Sequence, residues 1–474
     1  MPGPGYASPL DAMKNGPREK LLYVICIQPN QTEEKTDLLA TVDVDPDSPT
    51  YCQIIHKLRT GRPGDELHHF GWNVCSSCYE KECCSKRDKI IMPGLHSDRI
   101  YIVDVGQNER EPRFHKVIEG EEMQKLNCSF GHTTHCLASG EIMISTLGNK
   151  DGNAKGDFIL LDGKTFEIKG TWTKGPTAKF GYDFWYQPHF DIMVSSEWGA
   201  PKQIKKGFDP TCNYSELYGQ SINFYSWSKR ELIQTIDLGL EGQTPLEIRF
   251  LHNPLRNEGF VGCAAFGTVY RFYLNSEGKY ITEKIIHIKP KRVKGWALGD
   301  LLQGLIGDIL LSLDDKYLYF SNWAHGDIRQ YDITDIAHPK LTGQVFLGGQ
   351  IVSDSKLEVL EDPELSKRPD PVFVKGRRFY GGPQMFQLSL DGKRLYVSSS
   401  LYSPLDRDFY PDLIKNGSTI VKLDIDVENG GMKLDENFVV DFGSGPDGPL
   451  LAHEIRYPGG DCTSDIWLAS TEEH

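Results

Sequence analysis

The stretch Asp308–Trp323, DILLSLDDKYLYFSNW, reads as an apolar strand, a D-D-K turn and a second apolar strand. Apolar runs separated by D-D or D-G are a hairpin signature, because short acidic residues and glycine tolerate the backbone of a tight turn. A near copy stands at Met385–Ser399, MFQLSLDGKRLYVSS, with D-G-K at the turn. Weaker copies occur at Thr134–Ser145, Tyr182–Ser196 and Glu247–Gly262, and a sixth spans DELHHFGWN and KIIMPG, ending at Gly94.

Alongside these hairpins runs a series of short strands with an Asp or similar residue near the end. They are ATVDVD (Ala40–Asp45), RIYIVDVG (Arg99–Gly106), DFILLDG (Asp157–Gly163), SINFYSW (Ser221–Trp227), TVYRFYL (Thr268–Leu274), DIRQYDI (Asp327–Ile333) and STIVKLDID (Ser418–Asp426). Most steps between them are about 60 residues, the mark of a repeat architecture. The last hairpin, HEIRYPGGDCTSDIWLAS from His453, lacks its outer strand, whereas ATVDVD lacks a full hairpin before it. The missing parts match. The sequence therefore predicts an all-β fold, a seven-bladed β-propeller closed by N-terminal strands that complete the C-terminal blade. The competing arrangement is an irregular pair of β-sandwiches. Residues 1–20 read as an irregular Gly/Pro-rich arm. Residues 21–474 read as one propeller domain, with a charged surface insertion at about 351–380 that has room for one helical turn at Pro363–Ser366.

The 474 residues carry a net charge of −14, which disfavours a nucleic-acid surface. No apolar run is long enough for a transmembrane segment, and the N-terminal residues lack a signal-peptide core. Eleven cysteines, an odd number without secreted-scaffold spacing, point to reduced thiols in the cytosol or nucleus.

Imidazole and thiolate are the side chains suited to soft and borderline transition metals. In a propeller blade, the start of the first strand and the turn between second and third strands lie on one face. His68, His69, His132 and His453 sit at or just before first strands, and His325 sits between second and third strands. All of these fall on one face near the channel mouth. Asp183, Glu197, Asp308 and Gln384 share that level, whereas His189 and His252 fall on the opposite face. A metal site built from His68, His69, His132, His135, His325 and His453 is the resulting expectation, set against the ordinary role of a hydrogen-bonded core histidine. Within a strand, neighbours point to opposite faces, so only one of His68 and His69 is expected to face the channel. Cys75 and Cys78 form a C-x-x-C, read as a loop dithiol of redox character near the site rather than a ligand pair. Cys83 and Cys84 follow in a charged loop, and Cys52 reads as an ordinary strand cysteine.

DELHHFGWN-CSSC, HTTHCLASGE, GYDFWYQP, PLEIRFLHNP, SLDD-YLYFSNW-HGD-RQYD, GGPQM-QLSLDGKRLYV and AHE-RYPGGDC together resemble the selenium-binding protein family, also known as methanethiol oxidase. The resemblance covers essentially the whole chain. It implies a seven-bladed propeller that oxidises methanethiol with O2 and water to formaldehyde, hydrogen sulfide and hydrogen peroxide. It also implies copper as cofactor, and a small thiol and O2 as substrates. Glu454 or Asp183 would supply the base for such a reaction. Family selenium attachment in a Y-C-Q-x-I-H context implies Cys52 as the selenium-binding residue. A selenium- or thiol-binding propeller acting as a protein-interaction scaffold, without catalysis, is the alternative reading. Protein partners and peripheral membrane association stay open.

Overall fold

The computed structural model describes residues 4–79 and 86–469. Cys83 and Cys84 lie outside the described residues. Strands dominate, and among the described residues they assemble into seven four-stranded antiparallel sheets. In six sheets the four strands follow one another along the chain. These sheets start at Gly71–Trp72, Ser129–Cys136, Phe184–Gln187, Pro245–Phe250, Ile306–Leu311 and Phe386–Leu388. The remaining sheet, counted as the first with the other six following as second to seventh, joins the two ends of the chain. Leu451–Arg456 pairs with Leu21–Ile27, placing Tyr23 opposite Arg456 and Ile27 opposite Leu451, and Leu38–Asp43 and Gln53–Arg59 follow outward.

Hydrophobic patterning explains the layering. First and second strands are buried along their length, as in Ile306–Leu311 and Tyr317–Asn322. Strands buried on both faces read as near-continuous apolar runs. Outer strands such as Glu231–Asp237 alternate exposed and half-buried residues, as a strand with one wet face must. Adjacent sheets share apolar clusters. Tyr23 and Leu39 pack with Ile90 and Met92, Ile102 with Ile144, and Phe158 with Phe184 and Phe224. Further along, Phe260 packs with Phe320, Tyr319 with Leu395, and Ile420 with Val24 and Val42.

A second device fixes each sheet to the next. Ser145, Ser196, Ser321 and Ser398 stand in the later half of second strands or just after them. Their hydroxyls donate to the carbonyls of Tyr182, Leu246, Gln384 and His453, which open the first strands of the following sheets. Three of these hydroxyls also accept from the first strand of their own sheet, through the N–H groups of Thr133, Asp183 and Asp308. Each buried polar group is thereby satisfied at a junction where no β-ladder reaches.

The two hairpins from which the fold was read have near-identical loops. Asp314 accepts from Ser312 and the Lys316 N–H, and Asp391 accepts from Ser389 and the Lys393 N–H. The left-handed position is Asp315 in one and Gly392 in the other. Asp315 occupies this less favoured backbone region because its carboxylate also receives the N–H groups of His252 and Asn253 from the preceding sheet.

Three segments depart from the sequence reading. The arm before residue 20, expected to be irregular, contains the helix Pro9–Asn15, capped by the Ser8 hydroxyl on the Asp11 N–H. The excursion at 351–380 shows bends and no helical turn at Pro363–Ser366. Its strand Glu358–Glu361 pairs with Lys291–Trp296, which pairs in turn with Gly299–Leu302. Two short helices, Ser403–Phe409 and Pro411–Asn416, interrupt the seventh sheet between its second and third strands. No helix among the described residues is long and apolar enough to cross a membrane.

Ser321→Ala is expected to lower unfolding stability by about 1–3 kcal/mol, since it removes two buried bonds and leaves the Asp308 N–H and Gln384 carbonyl short of a partner. Ser139→Ala, at an exposed turn, should stay within about 0.5 kcal/mol. Urea unfolding midpoints compare the two, and equal shifts would sink the seam role of Ser321.

Candidate metal centre

Four histidines from three sheets meet in one buried cluster. His68 and His453 stack with ring centroids 4.0 Å apart, His69 and His132 lie at 4.1 Å, and His68 and His69 at 4.8 Å. None of the four is more than 3 % exposed, so the cluster is closed to bulk water. His132 and His453 belong to the first strands Ser129–Cys136 and Leu451–Arg456.

His68 and His69 both reach the cluster, which corrects the expectation that only one would. The rule of alternating faces fails here because residues 68–70 are not strand. They follow an isolated bridge from Leu67 to Gly94, and Glu66 before them holds a positive φ of 49°. Irregular backbone lets two consecutive rings turn the same way.

Each ring leaves a nitrogen unmatched. His69 Nε2, His132 Nε2, His453 Nε2 and His68 Nδ1 are buried without a hydrogen-bond partner among the described residues. The other nitrogens of three rings are held. His69 Nδ1 lies 2.9 Å from Glu454 Oε1, His453 Nδ1 2.6 Å from the Ser400 carbonyl, and His132 Nδ1 3.1 Å from the Thr133 hydroxyl. An imidazole that donates from one nitrogen to a carboxylate or carbonyl presents the other as a lone pair, which is how protein metal sites orient their ligands. Ligand atoms of His68, His69 and His453 all lie within 4.8 Å of one another. Burial pushes the four rings well below the usual histidine range, His453 to about 4, so they stay neutral and able to ligate at neutral pH. This donor set could hold a metal ion.

A charged network lies against the cluster. The Arg249 guanidinium bonds Asp183 and Glu247, and Arg456 bonds Glu454. Asp183 Oδ2 also accepts the Ile248 N–H, and Glu454 Oε2 the Phe70 N–H. Burial raises Asp183, but Arg249 and the Ile248 N–H outweigh it and hold its carboxyl below the usual range. Burial, reinforced by nearby Asp183, drives Glu247 upward. Glu247 Oε1 has no hydrogen-bond partner among the described residues and lies 3.7 Å from His69 Nε2. Glu454, by contrast, has both oxygens engaged. The sequence reading passed over Glu247, Arg249 and Arg456. A signal for them was present: LEIR at 246–249 and HEIR at 453–456 repeat the same E-I-R in two first strands.

Other expected residues are placed elsewhere. His325 has no ring contact with the cluster among the described residues. Its Nε2 pairs with the Leu302 carbonyl, and Asp327, Lys291 and Arg329 surround it. The segment 291–302, not recognised as structured in the sequence, supplies that partner and draws His325 away from the other rings. His135 is buried against Phe184 and Trp185, and both its nitrogens lack partners. Cys75 and Cys78, expected in a loop, are buried around the short 3-10 turn Ser76–Cys78. The Ser77 hydroxyl lies 3.2 Å from Cys75 Sγ and 3.8 Å from Cys136 Sγ. Cys52 sits with φ 65° in the turn before Gln53–Arg59, the outermost strand of the sheet whose innermost strand carries His453. At about 4.8 Å per strand, Cys52 and the cluster belong to opposite edges of that sheet. No disulfide joins the nine cysteines among the described residues.

Comparison with known proteins gives one consistent picture. The family model of the 56kDa selenium binding protein (SBP56) matches residues 1–468. The chain is 57 % identical over 468 residues to methanethiol oxidase of Homo sapiens and 58 % identical to selenium-binding protein 2 of Mus musculus, in each case over 98 % of both chains. The X-ray structure of a hypothetical selenium-binding protein from Sulfolobus tokodaii superposes with a TM-score of 0.87 at 37 % identity, covering 98 % of both chains.

Glu454→Gln retains shape but weakens the hold on His69 Nδ1–H. Affinity for a soft transition-metal ion, read by competition with a chelator, should fall about 10–100-fold, the usual cost of losing a residue that orients a ligand. Unchanged affinity would remove Glu454 from that role.

Proposed function

Because the chain belongs to the 56kDa selenium binding protein (SBP56) family, we propose that it is a methanethiol oxidase with a copper site formed by His68, His69, His132 and His453. The reaction converts methanethiol, O2 and water to formaldehyde, hydrogen sulfide and hydrogen peroxide. The carrying observation is the set of four buried imidazole nitrogens that have no other partner. Imidazole suits copper, and copper bound there would offer a soft centre for a thiolate and electron exchange with O2.

The chain's own groups supply the rest. Glu454, the Ser400 carbonyl and Thr133 fix the tautomers and directions of three rings. Asp183, paired with Arg249 and held ionised, is a weak proton acceptor and serves to position that guanidinium. Glu247 Oε1 is the better placed base for a proton leaving the methyl carbon, being unpartnered beside His69. The burial of the rings would limit the access of water to a reactive thioaldehyde before its hydrolysis.

The seven sheets act in this reading as blades of one propeller domain around a channel. Support comes from the pairing of Leu21–Ile27 with Leu451–Arg456 and from apolar packing that passes between successive sheets and from the seventh to the first. Eleven cysteines, an odd number without secreted-scaffold spacing, support a reducing compartment, the cytosol with the nucleus. Selenium would attach at Cys52, on the outer edge and apart from the oxidase centre. A scaffold without catalysis would give no reason for four orphaned nitrogens in so closed a space.

Metal analysis of purified protein and methanethiol-dependent peroxide formation test the reading together. His68→Ala, His69→Ala, His132→Ala and His453→Ala should each lose roughly 100-fold or more in activity, with loss of bound copper. His325→Ala should keep copper and lower stability instead. Metal-free protein with full activity would refute the copper site.

A further inference from the structure

Above His68 lies a cavity that methanethiol alone does not explain. Its volume is about 110 Å³, and His68 and Tyr182 form the edge next to the histidine cluster. Tyr182 packs on His132 at 4.0 Å, and Trp198 stacks over His68 at 6.4 Å. Leu246, Ala265, Ile306 and Trp323 continue the wall. No Asp, Glu, Lys or Arg lines the cavity among the described residues, although a quarter of the chain is charged.

The roof is built by segments added to the sheets. Residues 199–220 leave the fourth sheet between its second and third strands, and Ser403–Phe409 leaves the seventh at the same point. Phe409 joins them: it packs against Phe208 at 5.1 Å, Trp296 at 5.0 Å and Trp323 at 5.7 Å. The Phe208 N–H donates to Asp408, and the Ser403 N–H and hydroxyl donate to Glu66, two residues before His68. These contacts hold an apolar roof in fixed relation to the histidines.

We propose that this cavity is the alkyl-binding site of the oxidase and that the enzyme's substrate class is uncharged primary alkanethiols of up to about five carbons, with methanethiol its smallest member. This rests on the oxidase reading above. An apolar cavity of about 150 Å³ is dry and takes a benzene ring, so one somewhat smaller has room for a short alkyl chain well beyond a single methyl. With the sulfur at the histidines, the chain extends along Trp198, Leu246 and Ile306. A carboxylate or ammonium on that chain would meet no counter-charge and would lose its water. Turnover follows the same balance as for methanethiol. One C–H bond and the C–S bond of R–CH2–SH break, and water supplies the oxygen of R–CHO. The sulfur leaves as hydrogen sulfide, and O2 accepts two electrons and two protons as hydrogen peroxide.

The test compares 1-butanethiol with 3-mercaptopropionate, which has similar length and a terminal charge, on copper-loaded protein. Binding is read by tryptophan fluorescence, since Trp198 and Trp323 line the cavity, and turnover by peroxide and aldehyde. Each added methylene should tighten binding by up to about fourfold, so kcat/KM for 1-butanethiol should exceed that for methanethiol by tenfold or more. 3-Mercaptopropionate should bind at least tenfold more weakly than 1-butanethiol. Ala265→Phe, which fills the cavity, should bring the butanethiol-to-methanethiol ratio of kcat/KM toward one. Equal binding of the charged and uncharged thiols, or a kcat/KM that falls with chain length, overturns the proposal. Preferential binding of 1-butanethiol without peroxide from any thiol would instead uphold the alkyl site and refute the oxidase reading.

Discussion

The pairing of Leu21–Ile27 with Leu451–Arg456 is the constraint on which the site depends. It joins segments more than four hundred residues apart, so the loop it closes is costly in chain entropy, though the cost grows only with the logarithm of length. What repays it is continuous burial: every residue of both strands is buried, and the sheet packs on its neighbours at both sides. The pairing also removes two sheet edges that would otherwise expose unmatched backbone groups. His453 and Glu454 ride on this strand. Only when it is docked can His453 stack on His68 and Glu454 reach His69, so the histidine cluster and this terminal sheet form together.

Burying this much charge beside four neutral rings demands strict compensation. Glu247 and Glu454 lie 3.7 and 2.9 Å from His69, Asp183 acts on His69 and His132 through its charge, and an unpaired carboxylate there would cost several kcal/mol. Arg249 and Arg456 supply the counter-charges from the same strands, through the repeated E-I-R. Backbone N–H groups from Ile248 and Phe70 supply the rest. The carboxylates that bond those N–H groups also join one sheet to the next. The same oxygen atoms therefore serve assembly and the electrostatics of the site.

Much of the architecture was legible because it is written locally. Hairpin loops such as SLDDKY and SLDGKR declare themselves through turn chemistry, and buried second strands through unbroken apolar runs. The incomplete first and last units declared their pairing by what each lacked. The site was harder to read where geometry departs from regular strand. Alternation of faces misjudged His68 and His69, since the residues carrying them follow a left-handed Glu66 and belong to no strand. Sorting by face grouped His325 with the other rings but could not see Leu302, because the segment 291–302 mixes charged residues, glycines and leucines and lies outside the repeat. Glu247 was hidden by its ordinary appearance in an apolar strand, although its repeat at Glu454 marked it. The helix at Pro9–Asn15 escaped notice because Gly and Pro dominate the arm, yet Pro9 at the first turn and Ser8 at the cap suit a helix start.

The placement of the inserted segments has a physical logic of its own. A repeat of four strands fills its sheets with backbone bonds and leaves little freedom to shape a ligand site, so variation falls to the connections. The inserted residues at 199–220 and 401–416 emerge from connections between second and third strands, and 291–302 from a connection between sheets. By the up-and-down order of strands, these exits share the face on which first strands begin, the face that carries the histidines. Residues added at the opposite turns, such as those near His189 and His252, could not reach the cluster. Phe409, touching aromatic side chains from both of the other segments, converts three separate additions into one roof. The repeat holds the histidine nitrogens in place, and the additions wall the cavity beside them.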